Sequence, residues 1–350
     1  MQRELRWGMR IIATAILSVA WVLSAWAQPQ DRGPAPHVIV IGIDGLSVDG
    51  VAKAKAPRLR ELISRSAWTM EARGVMPTLS SPNWTSMITG AGTEQHGVTS
   101  NGHLRHLVEF QPVLRNAAGI FPTVFEALRT QIPSSRIAVF HDWPGFSDLL
   151  EKDAPDVLQH EHGAARTVEV AAKYWSENRP NLMFIHLDNV DQAGHENGWG
   201  NSTYYEAVAR ADCYVGVILD MLEKLSATQS TFVLVTSDHG GKGRSHEKNV
   251  LEDIQIPWVL SGPEIIAGHI VAPVYTFDTA ATIAWIFGIN LSEYAIGRPV
   301  LAAFRSPTTM ARSVPAESAG RSCAPDRGLI PTGAGGSPPL ANLSHNNQHN

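Results

Sequence analysis

The chain has 350 residues, 44% of them hydrophobic and only 17% charged, with a formal net charge of −5. That length holds one large domain or two small ones, and the composition supplies a substantial core. The acidic balance argues against non-specific nucleic-acid binding, and the cysteines, Cys213 and Cys323, exclude a disulfide framework and a cysteine-based zinc site.

Arg3, Arg6 and Arg10 lead into an apolar run over residues 11–23, and Ala25-Trp26-Ala27 is a small-x-small cleavage signal. The run is short for a membrane span. Residues 1–27 are therefore expected to be a cleaved export signal, leaving a periplasmic or secreted product with no stable membrane anchor. Residues 28–36 read as a polar, proline-rich linker, residues 37–304 as the main folded domain, and residues 305–350 as a disordered tail rich in Ser, Pro, Gly and Asn.

Within the domain, 37–43 (HVIVIGI) is a near-continuous β-branched run, as expected of a strand buried on both faces. Residues 57–66 follow as a helix with Leu59, Leu62 and Ile63 on one side, and 68–75 as a strand. That strand delivers the hydroxyl-rich turn PTLSSPNW (77–84). Ser81 is a candidate N-cap there, Pro82 suits the first turn, and 83–89 is helical until Gly90 and Gly92. Ser80 would thus face the free N–H groups of a helix start, a good place to receive an anion. Next come a helix at 122–130, a strand at 136–140, a helix at 164–177 and a buried strand at 181–187. Residues 201–225 form a long helix with Val208, Ala211, Val215, Ile218, Leu219 and Leu222 at the 3.6-residue period, and Cys213 is read as a small core residue within it. Strands at 231–236 and 256–260 and a helix at 276–287 complete the domain. Strands alternating with helices imply an α/β fold, a three-layer α/β/α sandwich around a largely parallel sheet, with ligands at the carboxyl ends of its strands.

Three buried strands end in metal-ligand residue types. The first ends at Asp44, the second in HLDNVDQAGH with Asp191 and His195, and the third in TSDHGGKGRSH with Asp238, His239 and His246. Carboxylates mixed with imidazoles suit zinc or a similar ion, and together with the Ser80 oxygen they would serve two metals about 4 Å apart. His96 and His103 read as capping or core residues. The motifs IGIDG, PTLSSPN, DQAGH and TSDHGG, in that order, resemble the alkaline phosphatase superfamily, and within it the type I phosphodiesterase/nucleotide pyrophosphatase branch. The resemblance spans roughly residues 37–303.

The resemblance implies an alkaline phosphatase-like fold and a hydrolase of small phosphate esters carrying two Zn2+. Ser80 matches its nucleophile, which would form a covalent phosphoseryl intermediate. Asp44, Asp238 and His239, with Ser80, would hold one zinc; Asp191, His195 and a late His would hold the other. That late His is taken as His246, reached by the flexible Gly240–Gly243 stretch, with His269 as competitor and His345 and His349 behind it. Asn101 matches an Asn that binds the phosphoryl oxygens. The sulfatase pattern C/S-x-P-x-R is absent, because Trp84 stands where its Arg belongs. Diester or nucleotide-type substrates are favoured by the resemblance, with a phosphomonoesterase as the alternative. Lys242, Arg244 and Arg105 would supply charge for a monoester; Trp143, Phe146 and Trp199 would line an apolar wall for a diester. A zinc-binding scaffold without catalysis is the reading of another class.

Overall fold

The apolar runs at 37–43, 181–187, 231–236 and 256–260 become strands of a single sheet. The computed structural model describes residues 36–102, 110–248, 250–270 and 273–305. The export signal, most of the linker, the tail beyond Arg305, and with them His103, Arg105, Cys323, His345 and His349, lie outside the described residues. The elements run β1 (His37–Ile43), α1 (Val48–Lys53), α2 (Pro57–Ser64), β2 (Ala67–Arg73), α3 (Ser80–Thr89), α4 (Thr93–His96), α5 (Val124–Gln131), β3 (Ile137–His141), β4 (Val157–His160) and α6 (Ala164–Asn178). They continue with β5 (Leu182–Leu187), α7 (Asn189–Asn197), α8 (Ser202–Lys224), β6 (Thr231–Thr236), α9 (Leu251–Ile254), β7 (Gln255–Ser261), β8 (Gly268–His269) and α10 (Asp278–Phe287).

The sheet order is β4-β3-β5-β1-β6-β7-β2-β8. β1 is paired in parallel with β5 on one side and β6 on the other, while β7 runs antiparallel to both β6 and β2. Alternation of side chains divides the core into two layers. Val38, Val40, Leu182, Phe184, Phe232 and Leu234 face the layer covered by α3, α5 and α10. Ile39, Ile41, Met183, Ile185, Val233 and Val235 face the layer covered by α2, α6 and α8. The result is the expected three-layer α/β/α sandwich, and it brings the carboxyl ends of β1, β5 and β6 side by side.

Helix α8 buries every apolar position read from its period. Cys213 is the exception to the reading: it is exposed. It lies two residues from buried Ala211, and about 200° of helical rotation turns it away from the sheet. The start of α2 lacks a local cap and takes one from α8, where the Asp212 carboxylate accepts from Arg58 N (3.2 Å) and Leu59 N (2.7 Å). Among the described residues no helix is long and apolar enough to cross a membrane.

Candidate active site

β1 ends directly at Asp44, and the chain then turns through Gly45 with φ +68°. A Cβ on Gly45 would lie 2.8 Å from Asp191 Cα, so a residue without a side chain is needed both for the turn and for the approach of α7. The Gly45 N–H donates to Asp238 Oδ1 (3.2 Å), joining the ends of β1 and β6. Beyond β5, Asp191 in the first turn and His195 in the last turn of α7 are four residues apart and share a face, with Asp191 Oδ2 3.4 Å from His195 Nε2.

The segment between β2 and α3 is set by Asn83. This fully buried side chain accepts from Val75 N (2.6 Å) and donates to the carbonyls of Val75 (3.3 Å), Pro77 (3.2 Å) and Leu79 (2.9 Å). Thr78, in the same segment, bonds reciprocally with His246: its hydroxyl donates to the His246 carbonyl, and its own carbonyl faces His246 Nδ1. Helix α3 starts at Ser80, earlier than the expected 83, with Leu79 in the cap position and no side-chain cap. Ser81 is therefore inside the helix, and its N–H donates to Asn101 Oδ1 (2.8 Å). Pro82 has no N–H, so of the first three helical positions only the Ser80 N–H lacks a partner among the described residues. The anion-receiving capacity is narrower than expected: one backbone N–H, supplemented by Asn101, whose engaged carbonyl leaves its NH2 as donor.

Three histidines share one arrangement. Nδ1 faces a backbone carbonyl in each: Arg244 for His195 (3.1 Å), Gly240 for His239 (2.9 Å) and Thr78 for His246 (2.5 Å). A proton on Nδ1 leaves the Nε2 lone pair free to ligate. His239 Nε2 lies 3.3 Å from Ser80 Oγ, 3.3 Å from Asp44 Oδ1 and 3.2 Å from Asp238 Oδ2. His246 Nε2 is 3.2 Å from His195 Nε2, and the His239 and His246 rings stack with centroids 3.7 Å apart. Donor atoms of Asp44, Asp238 and His239 lie within 4.8 Å of one another, as do those of Asp191, His239 and His246.

The cluster fits dications. Asp44 Oδ1, Asp191 Oδ1 and Asp238 Oδ2 are buried carboxylate oxygens with no hydrogen-bond partner, a costly condition unless a cation neutralises them. Burial, reinforced by Asp44 and its neighbours, pushes the Asp191 carboxyl up to about 9 and that of Asp238 well above its usual range. Burial also works against ionised Asp44, but the hydrogen bond from His186, with the His239 ring alongside, outweighs it and holds Asp44 down to about 2. For His246, burial lowers the pKa to about 4, so the ring is neutral. Several negative charges packed this closely without cations resist full ionisation.

Asp44, Ser80, Asp191, His195, Asp238, His239 and His246 come together in this cluster, and Asn101 joins its edge through the Ser81 N–H. His269 does not: it is exposed on the edge strand β8, against Trp68. His96, the last residue of α4, is buried against α3, 2.9 Å from Ser86 Oγ. The expected apolar wall is not formed by Phe146, which is fully buried in the core, nor by Trp143, which packs against that core. Trp199 instead supports the ligands, lying between Gly194 and Gly241, donating to the Gly45 carbonyl (2.9 Å) and meeting His195 edge-on. Lys242 is tied to Glu252 at 2.6 Å. Sequence reasoning missed Asn83, His186, Asp142 and Asp188; the last shares a group with Asp44 and Asp191. His186, Asp142 and Asp188 carried the signal that found Asp44, a titratable residue where an apolar strand ends.

Residues 38–256 match the family described as type I phosphodiesterase / nucleotide pyrophosphatase. The chain belongs to this family. Mouse ectonucleotide pyrophosphatase/phosphodiesterase family member 1 is 25% identical over 252 residues, covering 65% of this chain and 27% of the mouse protein. The bis(5'-adenosyl)-triphosphatase enpp4 of Xenopus laevis is 24% identical over 220 residues, covering 59% of this chain and 47% of the frog protein. The chain thus spans less than half the length of either relative. Among solved structures, human ectonucleotide pyrophosphatase/phosphodiesterase 5 superposes with a TM-score of 0.64 at 14% identity, over 77% of this chain and all (100%) of that one. A 2-O GAG sulfatase gives 0.63 at 15% identity, over 78% of this chain and 74% of that one. The sandwich is therefore the expected alkaline phosphatase-like fold, shared with phosphodiesterase and sulfatase structures.

Proposed function

We propose that this member of the family is an exported hydrolase of small phosphate esters, diester or nucleotide-type, with two zinc ions and a covalent phosphoseryl intermediate at Ser80. The observation that carries the reading is the set of three buried, unpartnered carboxylate oxygens gathered beside Ser80 Oγ and three outward Nε2 atoms. Asp44, Asp238 and His239 would hold one ion and Asp191, His195 and His246 the other. When bound, the ions supply positive charge that acidifies the Ser80 hydroxyl and water and steadies the leaving group.

Ser80 Oγ, giving up its proton, attacks phosphorus in line and expels the ester oxygen, which takes up a proton; water then attacks the phosphoseryl phosphorus and releases the Ser80 oxygen. The Ser80 N–H and the Asn101 NH2 donate to the non-bridging oxygens as charge develops on them. Asn83 and Thr78 hold the segment that presents Ser80, and Trp199 keeps the α7 end of the site in place. The diester preference rests on the family match. A dianionic monoester needs added positive charge, and Lys242 is spent on Glu252. Export rests on the basic, apolar and small-residue pattern of residues 1–27.

The test is a paired rate comparison on zinc-loaded protein, using bis-p-nitrophenyl phosphate beside p-nitrophenyl phosphate, with chelator and with Ser80→Ala. A chelator-sensitive, Ser80-dependent preference for the diester is expected. Preference for the monoester overturns the substrate assignment. No turnover of either, with zinc still bound, overturns the hydrolase and leaves a scaffold.

A further inference from the structure

Asp44 is held differently from the other buried aspartates of the cluster. Its Oδ2 receives two nitrogen donors, Trp84 Nε1 at 2.9 Å and His186 Nε2 at 3.2 Å, while Oδ1 has no hydrogen-bond partner and faces His239 Nε2 at 3.3 Å. Neither donor is itself available to an ion. The indole N–H has no lone pair to offer, and the other nitrogen of His186 faces Asp142 Oδ1 at 3.4 Å.

The sheet builds this arrangement. Asp142 follows β3, His186 lies in β5 and Asp44 follows β1, with His141 and Gly42 both in register with His186. Trp84 reaches Asp44 from α3 because position 42 is glycine: a Cβ there would lie 2.6 Å from two carbons of the indole ring. Phe146, Phe184 and His186 pack around the same ring. The indole and imidazole are fully buried, so both prongs are fixed by packing.

We propose that Trp84 and His186, with Asp142 behind His186, are positioning residues that restrict Asp44 to one-oxygen coordination and thereby select a small tetrahedral cation at the Asp44/Asp238/His239 site. The inference rests on the reading of Asp44 as a metal ligand. With Oδ2 engaged by two N–H groups, the carboxylate cannot chelate through both oxygens. Zinc accepts four nitrogen, sulfur or oxygen ligands, one atom from each residue, whereas calcium gathers six to eight oxygens and often takes carboxylates in bidentate fashion. Freeing Oδ2 would weaken the fixed geometry that zinc uses and widen the site's tolerance for calcium.

The experiment uses the full chain stripped of metal, titrated with zinc against a chromophoric chelator and then challenged with calcium. Trp84→Phe keeps the ring and drops the N–H; His186→Leu removes the second prong; His186→Gln retains a side-chain donor. Circular dichroism of the metal-free forms reports the fold. The wild-type chain is expected to show two zinc steps. Trp84→Phe and His186→Leu are expected to weaken one step about 10–100-fold, leave the other unchanged and admit calcium, while His186→Gln stays near wild type. Two unmoved steps in both variants, or equal weakening of both steps, overturns the inference while the two-zinc reading stands. A wild-type chain that binds no zinc overturns that reading as well.

Discussion

Asn83→Asp replaces a two-hydrogen donor by an acceptor with almost no change of shape. In the native chain the Asn83 amide donates to three backbone carbonyls at 3.3, 3.2 and 2.9 Å and accepts one N–H at 2.6 Å, all at a side chain with no exposure to solvent. Aspartate keeps the acceptor and turns the donor into a second acceptor facing those carbonyls. Each buried group left without its partner costs about 1–3 kcal/mol. An amide has two hydrogens, so two lost bonds are the realistic count, and repulsion adds to them. The expected destabilisation is about 3–5 kcal/mol, within the 5–15 kcal/mol that a folded domain commonly has. The variant should therefore fold, with the segment carrying Thr78 and Ser80 loosened. Urea unfolding should show the loss, and turnover of bis-p-nitrophenyl phosphate should fall at least tenfold, since about 1.4 kcal/mol of lost transition-state stabilisation suffices. Stability within 1 kcal/mol of wild type together with an unchanged rate would refute the assignment of Asn83 as the anchor of the nucleophile.

Gly45→Ala should reduce zinc content and stability together, because the added methyl meets the Asp191 backbone at 2.8 Å in a turn with φ +68°; inductively coupled plasma analysis and a thermal melt check both. His246→Ala should lose zinc whereas His269→Ala should not, as His269 lies on the exposed edge strand. Glu151, buried against Thr123 and Asn116 with Glu126 nearby, is pushed up to about 7 by burial, against the opposing hydrogen bond from Thr123. Its folded pKa lies above the unfolded one. Its stabilising contribution is therefore complete below about pH 4.5 and is lost as pH rises through about 7, a change of about 3 kcal/mol. Denaturant unfolding between pH 5 and about pH 8 should show this slope, and Glu151→Gln should flatten it.

The sequence was most informative where one physical cause dominates. Continuous apolar runs named β1, β5 and β6 and, through their polar ends, Asp44, Asp191 and Asp238, because a titratable residue at the end of a strand buried on both faces is costly without a purpose. Helix α8 was legible from its period, yet Cys213 was misplaced, since small residues fit either face. The start of α3 was read three residues late because Asn101 reaches the Ser81 N–H from twenty residues away and Asn83 bonds back onto the preceding turn, contacts that propensities do not contain. The same holds for His186, Trp84 and Asp142, joined only by strand register, and for Trp199, whose role depends on two glycines from different segments. Lys242 looked free until Glu252 was placed beside it.

The account rests most heavily on the strand-end carboxylates and histidines forming a two-metal centre at Ser80. Anomalous diffraction from crystals of the zinc-loaded chain tests this most directly. Two anomalous peaks are predicted, one bounded by Asp44, Asp238 and His239 next to Ser80 Oγ, the other by Asp191, His195 and His246. A single peak, or zinc bound away from these six side chains, would contradict the account.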